Sequence, residues 1–214
     1  MVNVYIGYDA REEEAFKVAK ASIKKHSDIQ VKGLIREQLK SYGYYYRDDH
    51  RASTEFTITR FLVPWLEDYK GFSIFVDCDV LVNTDLTSVM SEIDVNDAVS
   101  CVQHDYTPKS CIKMDGKPNA AYPRKNWSSM MVFNNELCTS LTNEYVNTAK
   151  PTELHRMIWA NSIGSLHHTW NYLVGYYHDL DKPNIIHYTD GGPWFKEYEN
   201  CDFADEWREA WQQI

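Results

Sequence analysis

Nowhere does the sequence carry a basic run longer than Lys24-Lys25 or Arg124-Lys125, and its formal net charge is −9. A nucleic-acid backbone would be repelled over most of such a surface, so nucleic acid is not an expected partner. No apolar run approaches the roughly 18 residues of a membrane-spanning helix. The opening MVNVYIGYDA has no basic and apolar leader ahead of it, so the expectation is a cytoplasmic protein without a membrane span. The five cysteines (Cys78, Cys101, Cys111, Cys138, Cys201) are odd in number and show no CxxC spacing. That argues against a disulfide framework and a zinc knot, and fits a reducing compartment. Internal repeats and low-complexity tracts are absent as well. At 214 residues and 43% hydrophobic content, one domain over 1–214 is enough to enclose a core.

What the chain does have is aromatic residues, 15 tyrosines and 7 tryptophans among them. They serve either a large core or stacking platforms for bases and sugar rings, and composition alone favours the core.

Val2–Gly7 (VNVYIG) is β-branched and alternating, which predicts a strand ending at a glycine. Asp9 then caps a helix predicted from about Arg11 to His26, with Glu12, Glu13 and Glu14 in its first turn and Lys24 and Lys25 in its last. Ile29–Leu34 reads as a second strand, and Ser41–Ser53 as a tyrosine-rich loop. Apolar residues at Phe56, Ile58, Phe61, Leu62, Trp65 and Leu66 predict a helix over Thr54–Tyr69 that bends near Pro64. Phe72–Val76 suits a central parallel strand. Ala98–Val102 and Ser129–Phe133 read as strands, with Asp105–Asn126 an excursion over the site between them. Asn135–Thr148 and Thr152–Ala160 read as helices, Asn184–His187 as a last strand, and Phe203–Ile214 as a terminal helix with Trp207 and Trp211 on one face. This alternation implies an α/β sheet, mixed and mostly parallel, flanked by helices and binding ligands beyond the carboxyl ends of its strands.

At one such end stands FSIFVDCDVLV, with Asp77 and Asp79 one residue apart. Two carboxylates on a turn can share one divalent cation, and hard oxygen ligands select magnesium or manganese over zinc. A diphosphate would complete the shell of that cation, which would neutralise a departing phosphate. The alternative is an acidic loop turning into solvent.

Three motifs in order carry a resemblance. Arg60-Phe61-Leu62-Val63-Pro64 matches a helix pattern R-[LF]-x-[IV]-P, Asp-x-Asp follows after one strand, and His187 opens HYTDGGPWF, similar to H-x-x-G-x-x-K-P-W. Together, over Val2 to Phe195, they resemble the family-8-type retaining glycosyltransferases of the GT-A fold, a group that includes glycogenin and bacterial lipopolysaccharide glycosyltransferases. The resemblance implies a single-domain, Rossmann-like nucleotide-diphospho-sugar transferase fold. It implies transfer of a hexose, with glucose preferred, from a UDP-sugar to a carbohydrate or other hydroxyl acceptor with retention, dependent on Mn2+ or Mg2+. By the same resemblance Asp77 orients ribose and metal, Asp79 and His187 bind the metal, and Arg60 contacts the donor sugar or diphosphate. Tyr5, Gly7, Tyr8 and Asp9 match the nucleotide-binding end of the first strand, joined by Val76 and Cys78 beside Asp77 and by Gly191 and Gly192 near the phosphates. Tyr8 would flank the uracil and Asp9 would accept from its N3 proton. Asp9 reads equally well as a helix cap. Arg60 has a plainer reading as a surface ion pair with Glu67 or Asp68, and His187 as a core histidine.

The chain departs from the pattern in three places. Gly192 stands where the family has lysine, with Lys196 the candidate replacement. Trp127–Asn134 matches N-S-G-[VM]-[ML]-x-x-N only loosely. The following Asp-Gln pair is missing, and His155 or Arg156 falls near its place, His155 being the catalytic candidate. Ile163–Gly175 resembles the region L-P-x-x-[YW]-N, with Trp170-Asn171 as its matching end. Two competitors remain: a phosphohydrolase of the haloacid dehalogenase type with Asp77 as nucleophile, and a non-catalytic nucleotide-sugar-binding protein.

Overall fold

The computed structural model describes residues 2–49, 52–105, 107–108 and 123–214. Strand β1, Val2–Gly7, pairs in parallel with β2, Val31–Leu34, on one side and with β3, Phe72–Val76, on the other. These are the β-branched and aromatic runs of the sequence, and their inward residues Val4, Ile6, Ile74 and Val76 are fully buried. Gly7 ends β1 because Phe56 covers it: a Cβ there would lie 2.4 Å from the Phe56 ring.

Beyond Gly7 the Asp9 side chain accepts from the Arg11 backbone N–H and caps a 3-10 turn, Ala10–Glu12, which runs into α1, Glu13–His26. Acidic residues fill the first turn of α1 and Lys24, Lys25 and His26 its last, matching the helix dipole. Ala15, Val18, Ala19, Ser22 and Ile23 form its buried face.

The main sheet runs β2-β1-β3-β6-β5-β7, completed by β5 (Val99–Val102), β6 (Met130–Asn134) and β7 (Ile163–Leu166). Only β6 is antiparallel to its neighbours β3 and β5. The class is therefore α/β with a mixed, mostly parallel sheet, as expected. A second sheet was not expected. Strand β4 (Val80–Val82) follows directly on Asp79 and pairs antiparallel with β9 (Ile185–His187), which pairs in parallel with β8 (Tyr172–Leu173). The Asp77–Asp79 turn is thus the hinge between two sheets and not a loop in solvent.

The helices depart most from expectation. Residues 54–69 hold a 3-10 turn, Thr59–Leu62, and a four-residue α3, Val63–Leu66, with Pro64 in its first turn where its missing N–H is harmless. Phe56, Ile58, Phe61, Leu62 and Val63 are all at most 1% exposed, so the segment buries every side and needs no continuous helical face. A short helix α2, Arg36–Ser41, was not foreseen. The two helices expected over 135–148 and 152–160 shrink to α4, Asn143–Thr148, and α5, Pro151–His155. The last helix, α6 (Ala204–Gln212), packs on α1, its Trp207 stacked on Trp211 at 5.9 Å and joined to Val18, Leu81, Ile186 and Tyr188 in a small apolar cluster. Most of the expected excursion, 106 and 109–122, lies outside the described residues.

Candidate functional site

The carboxyl ends of β1 and β3, the β3–β4 turn and the end of β9 meet at one place. Asp77 follows β3, and its backbone N–H donates to Ser129 O at 2.9 Å just before β6 begins. Antiparallel register sets Val80 opposite His187, and the Tyr188 N–H donates to Asp79 O at 2.9 Å. One ligand atom from each of Asp77, Asp79 and His187 lies within 4.8 Å of the others. His187 Nε2 sits 3.4 Å from Asp79 Oδ1, both residues being buried. Two carboxylates and an imidazole at this spacing fit a divalent cation with hard-ligand preference.

Arg60 reaches this cluster from the 3-10 turn of residues 59–62. Its Nη1 lies 2.7 Å from Asp77 Oδ1 and donates to Ser128 O at 2.7 Å, while Nε donates to Phe56 O at 3.2 Å. The guanidinium lies over the rings of Phe56 and Phe75, 5.2 and 4.9 Å from their centroids. The partner is therefore Asp77 and not Glu67 or Asp68, with Arg60 buried and Asp77 nearly so. Such a pair fixes geometry more than it adds stability, since both ions must leave water.

Asp9 is fully buried and heavily engaged. Arg11 Nε and Nη2 donate to its two oxygens at 3.0 and 2.7 Å, and the Arg11 and Glu55 backbone N–H groups add bonds of 3.0 and 3.2 Å. Burial alone would raise its pKa, but the bonds from Arg11 and Glu55 outweigh it and hold the carboxyl below its ordinary value. The capping reading is realised. Tyr8 stands beside it with its ring edge-on to Phe16 at 5.2 Å. Tyr5 turns away: its hydroxyl donates to Glu67, and Lys32 lies 3.2 Å from the same oxygen. The phenol is pushed well up by burial and by Glu67.

Cys78, between the two aspartates, is fully buried and its thiol donates to the buried Glu12 carboxylate at 3.4 Å. Burial and the surrounding acids raise its pKa far above the ordinary thiol value, so it is no nucleophile. Val76 is likewise core.

His155 lies behind Arg60. Its Nδ1 is 2.9 Å from Ser128 Oγ, its ring is edge-on to Phe61, and it bonds the Thr57 backbone. Burial and then the Arg60 charge push its pKa down to about 3. It supports the residue that holds Arg60 and does not join the Asp77, Asp79 and His187 set.

Past β9, Gly191 has φ 136°, and a Cβ on it would meet Tyr198 at 2.6 Å. At Gly192 a Cβ would sit 2.1 Å from the Trp194 ring. The place of the family lysine is filled by tryptophan, so no side chain fits there without moving Trp194. Lys196 is exposed.

Residues to which the sequence assigned no role complete the site. Asn171 touches His187, His104 and Ser129, and Asn126 Nδ2 donates to Thr189 Oγ1 at 3.1 Å. Burial, then the neighbouring His187 and His168, push His104 down to about 3, so it is neutral. Trp170-Asn171 carried a motif signal, while an isolated histidine such as His104 carried none.

No model of a known protein family matches the sequence. Among solved structures, the bifunctional glycosyltransferase WbbM superposes with a TM-score of 0.68 at 18% identity, over 98% of this chain and 49% of that one. The glycosyltransferase GlyE of Streptococcus pneumoniae TIGR4 gives 0.60 at 16%, over 98% and 59%. The galactosyltransferase LgtC, in complex with donor and acceptor sugar analogs, gives 0.60 at 12%, over 100% and 96%. The chain spans about half of WbbM and well under two thirds of GlyE. At these identities the likeness is one of fold, and the fold is the GT-A glycosyltransferase fold. Among the described residues no helix is long and apolar enough to cross a membrane. Protein CDI of Arabidopsis thaliana is 44% identical over 216 residues, which cover 95% of this chain and 83% of that protein, and the chain belongs to the family of Protein CDI.

Proposed function

We propose that the chain is a metal-dependent glycosyltransferase that moves a hexose from a UDP-sugar to a hydroxyl acceptor with retention, and that residues 1–214 form one such domain. The observation that carries this reading is the convergence of Asp77, Asp79 and His187 within 4.8 Å at the strand ends of a GT-A fold. When bound, Mn2+ or Mg2+ supplies Lewis-acid stabilisation of the departing diphosphate. Asp79 and His187 hold the ion, and Asp77, fixed by Arg60 at 2.7 Å, orients the ribose and shares the ion. Arg60, held in place through Nε and Nη1, contacts the donor sugar or diphosphate. Gly191 and Gly192 bring backbone close to the phosphates, and Lys196 takes the diphosphate contact that the family lysine would make. Tyr8 flanks the uracil. The galactosyltransferase LgtC, crystallised with donor and acceptor sugar analogs, shares the fold, which supports a sugar donor. UDP-glucose is the first donor to test. The phosphohydrolase reading has no support from this fold, and Asp77 is bound to Arg60 in place of standing open as a nucleophile.

A second reading, nucleotide-sugar binding without transfer, is favoured by the Trp194 ring filling the lysine position at Gly192 and by the engaged ring of His155. A thermal-shift panel of UDP-sugars with Mn2+ tests the first step. A ligand at about 100 times its Kd adds about 2.7 kcal/mol of stability, and UDP-glucose should shift the melting temperature only when Mn2+ is present. If no UDP-sugar shifts it, the donor class is wrong. A shift with no release of UDP over hours, with or without sugar acceptors, selects the binding protein.

A further inference from the structure

A polar network lies behind the metal-ligand set, and the proposed chemistry does not use it. Asn171 is 0% exposed, at the end of the 3-10 turn His168–Asn171 that leads into β8. Its Oδ1 lies 2.8 Å from His187 Nδ1. Its Nδ2 lies 2.9 Å from His104 Nε2, 2.8 Å from Ser129 Oγ and 3.4 Å from Asn126 O.

One fixed point sets the direction of every proton. Ser129 Oγ is 2.7 Å from the Asn126 backbone carbonyl, which can only accept, so the hydroxyl donates there. Having given its one proton, Oγ accepts from Asn171, which puts the amide NH2 on that side and the amide oxygen toward His187. An amide oxygen only accepts, so His187 carries a proton on Nδ1. In the neutral ring Nε2 then turns a lone pair toward Asp79 Oδ1, 3.4 Å away. Two acceptors facing each other at that distance form an arrangement that a cation between them stabilises. The second proton of the Asn171 amide goes to His104 Nε2, and His104 Nδ1–H donates to Tyr177 OH at 2.8 Å.

We infer that Asn171 is a positioning residue: it locks His187 in the Nδ1–H tautomer and so presents Nε2, already oriented, to a divalent cation. The inference rests on the metal reading of the site. Ligating histidines commonly hold their second ring nitrogen in this way, and loss of such a partner typically costs roughly 10–100-fold in metal affinity. Asparagine suits the position better than aspartate, because only an amide both accepts from His187 and donates to Ser129 and His104.

The test uses the full chain at pH 8. Nitrogen-15 spectra give the tautomer of His187 without metal, and Mn2+ affinity is read by electron paramagnetic resonance, in wild type, Asn171→Leu and Asn171→Asp. Expected are an Nδ1–H His187 in wild type, a mixed or reversed tautomer in Asn171→Leu with Mn2+ affinity down roughly 10–100-fold, and the wild-type tautomer kept in Asn171→Asp. A proton on Nε2 in wild type overturns the inference, and that spectrum decides even if Asn171→Leu fails to fold. A folded Asn171→Leu that binds Mn2+ as wild type does overturns it and leaves the metal reading intact. A locked Nδ1–H tautomer in a wild type that binds no Mn2+ upholds the lock and overturns the metal reading instead.

Discussion

Two aspartates stand just past the ends of neighbouring parallel strands, Asp9 after β1 and Asp77 after β3, and they end differently. Asp9 is closed mainly by its own loop: Arg11, two residues on, takes both oxygens, and the backbone N–H groups of Arg11 and of the distant Glu55 finish the set. Asp77 is closed by the tertiary structure: Arg60 arrives from another element, and Asp79 and His187 converge on it from the second sheet. The same residue type at the same end of one sheet is a helix cap in one case and part of a candidate metal centre in the other. What separates them is the second sheet: it brings Asp79 and His187 against Asp77, whereas Asp9 is taken up by Arg11 and backbone N–H groups.

The largest break in this comparison is Asp79→Ala. Losing a ligand should exceed the roughly 10–100-fold cost of losing a supporting residue, so Mn2+-dependent UDP release should fall by more than about 100-fold. Unchanged release, measured by a coupled UDP assay, would remove Asp79 from the site. Asp9→Asn should leave release within a few-fold, because that carboxylate is already occupied by Arg11. Stability sharpens the contrast. Arg60→Met strands a largely buried carboxylate and should cost about 3 kcal/mol in urea unfolding. Arg11→Met, whose partner keeps its backbone bonds, should cost only about 1–2 kcal/mol. Equal losses would show that both pairs are structural in the same sense.

A third prediction concerns the residue behind Arg60. The folded pKa of His155, about 3, lies below its ordinary 6.5. The unfolded chain therefore binds more protons between these values. The contribution of His155 is fully present above pH 6.5 and is lost as pH falls toward 3, at up to about 1.4 kcal/mol per pH unit. Stability of His155→Gln against pH should be flatter by that slope between pH 6 and 4, and an unchanged slope would show that His155 titrates normally. The smallest effect belongs to Tyr5→Phe, which loses the bond to Glu67 and should cost about 1 kcal/mol with UDP affinity unchanged. Weaker UDP binding would return Tyr5 to the nucleotide end of the sheet.

Legibility in the sequence followed the range of the interactions. β1 and β3 were read with their observed bounds because runs such as FSIFV are buried on both faces and carry their own signal. Of the second sheet only β9 was read, as Asn184–His187; β4 and β8, with two or three residues each, have no measurable period. Residues 54–69 looked helical because closely spaced apolar residues mimic an i, i+3, i+4 stripe, while the chain in fact buries them on every side. Of the site, the Asp-x-Asp pair, Arg60 and His187 stood out by pattern. Asn171 was noticed only as a motif end, and His104 not at all, because a hydrogen-bond partner leaves no trace in spacing.

By itself, then, the sequence determined the α/β class, the strands that build the parallel core, the Asp9 cap and the residue types able to hold a cation. These depend on local burial patterns and on side-chain chemistry within a few residues. The tertiary structure alone decided that Asp77 pairs with Arg60, that β4 and β9 bring His187 against Asp79, that Trp194 leaves no room for a side chain at Gly192, and that Asn171 sets the face His187 presents. The His187–Asp79 approach depends on the register of β4 against β9, and the others on how turns and loops pack, which is fixed only when both partners are in place.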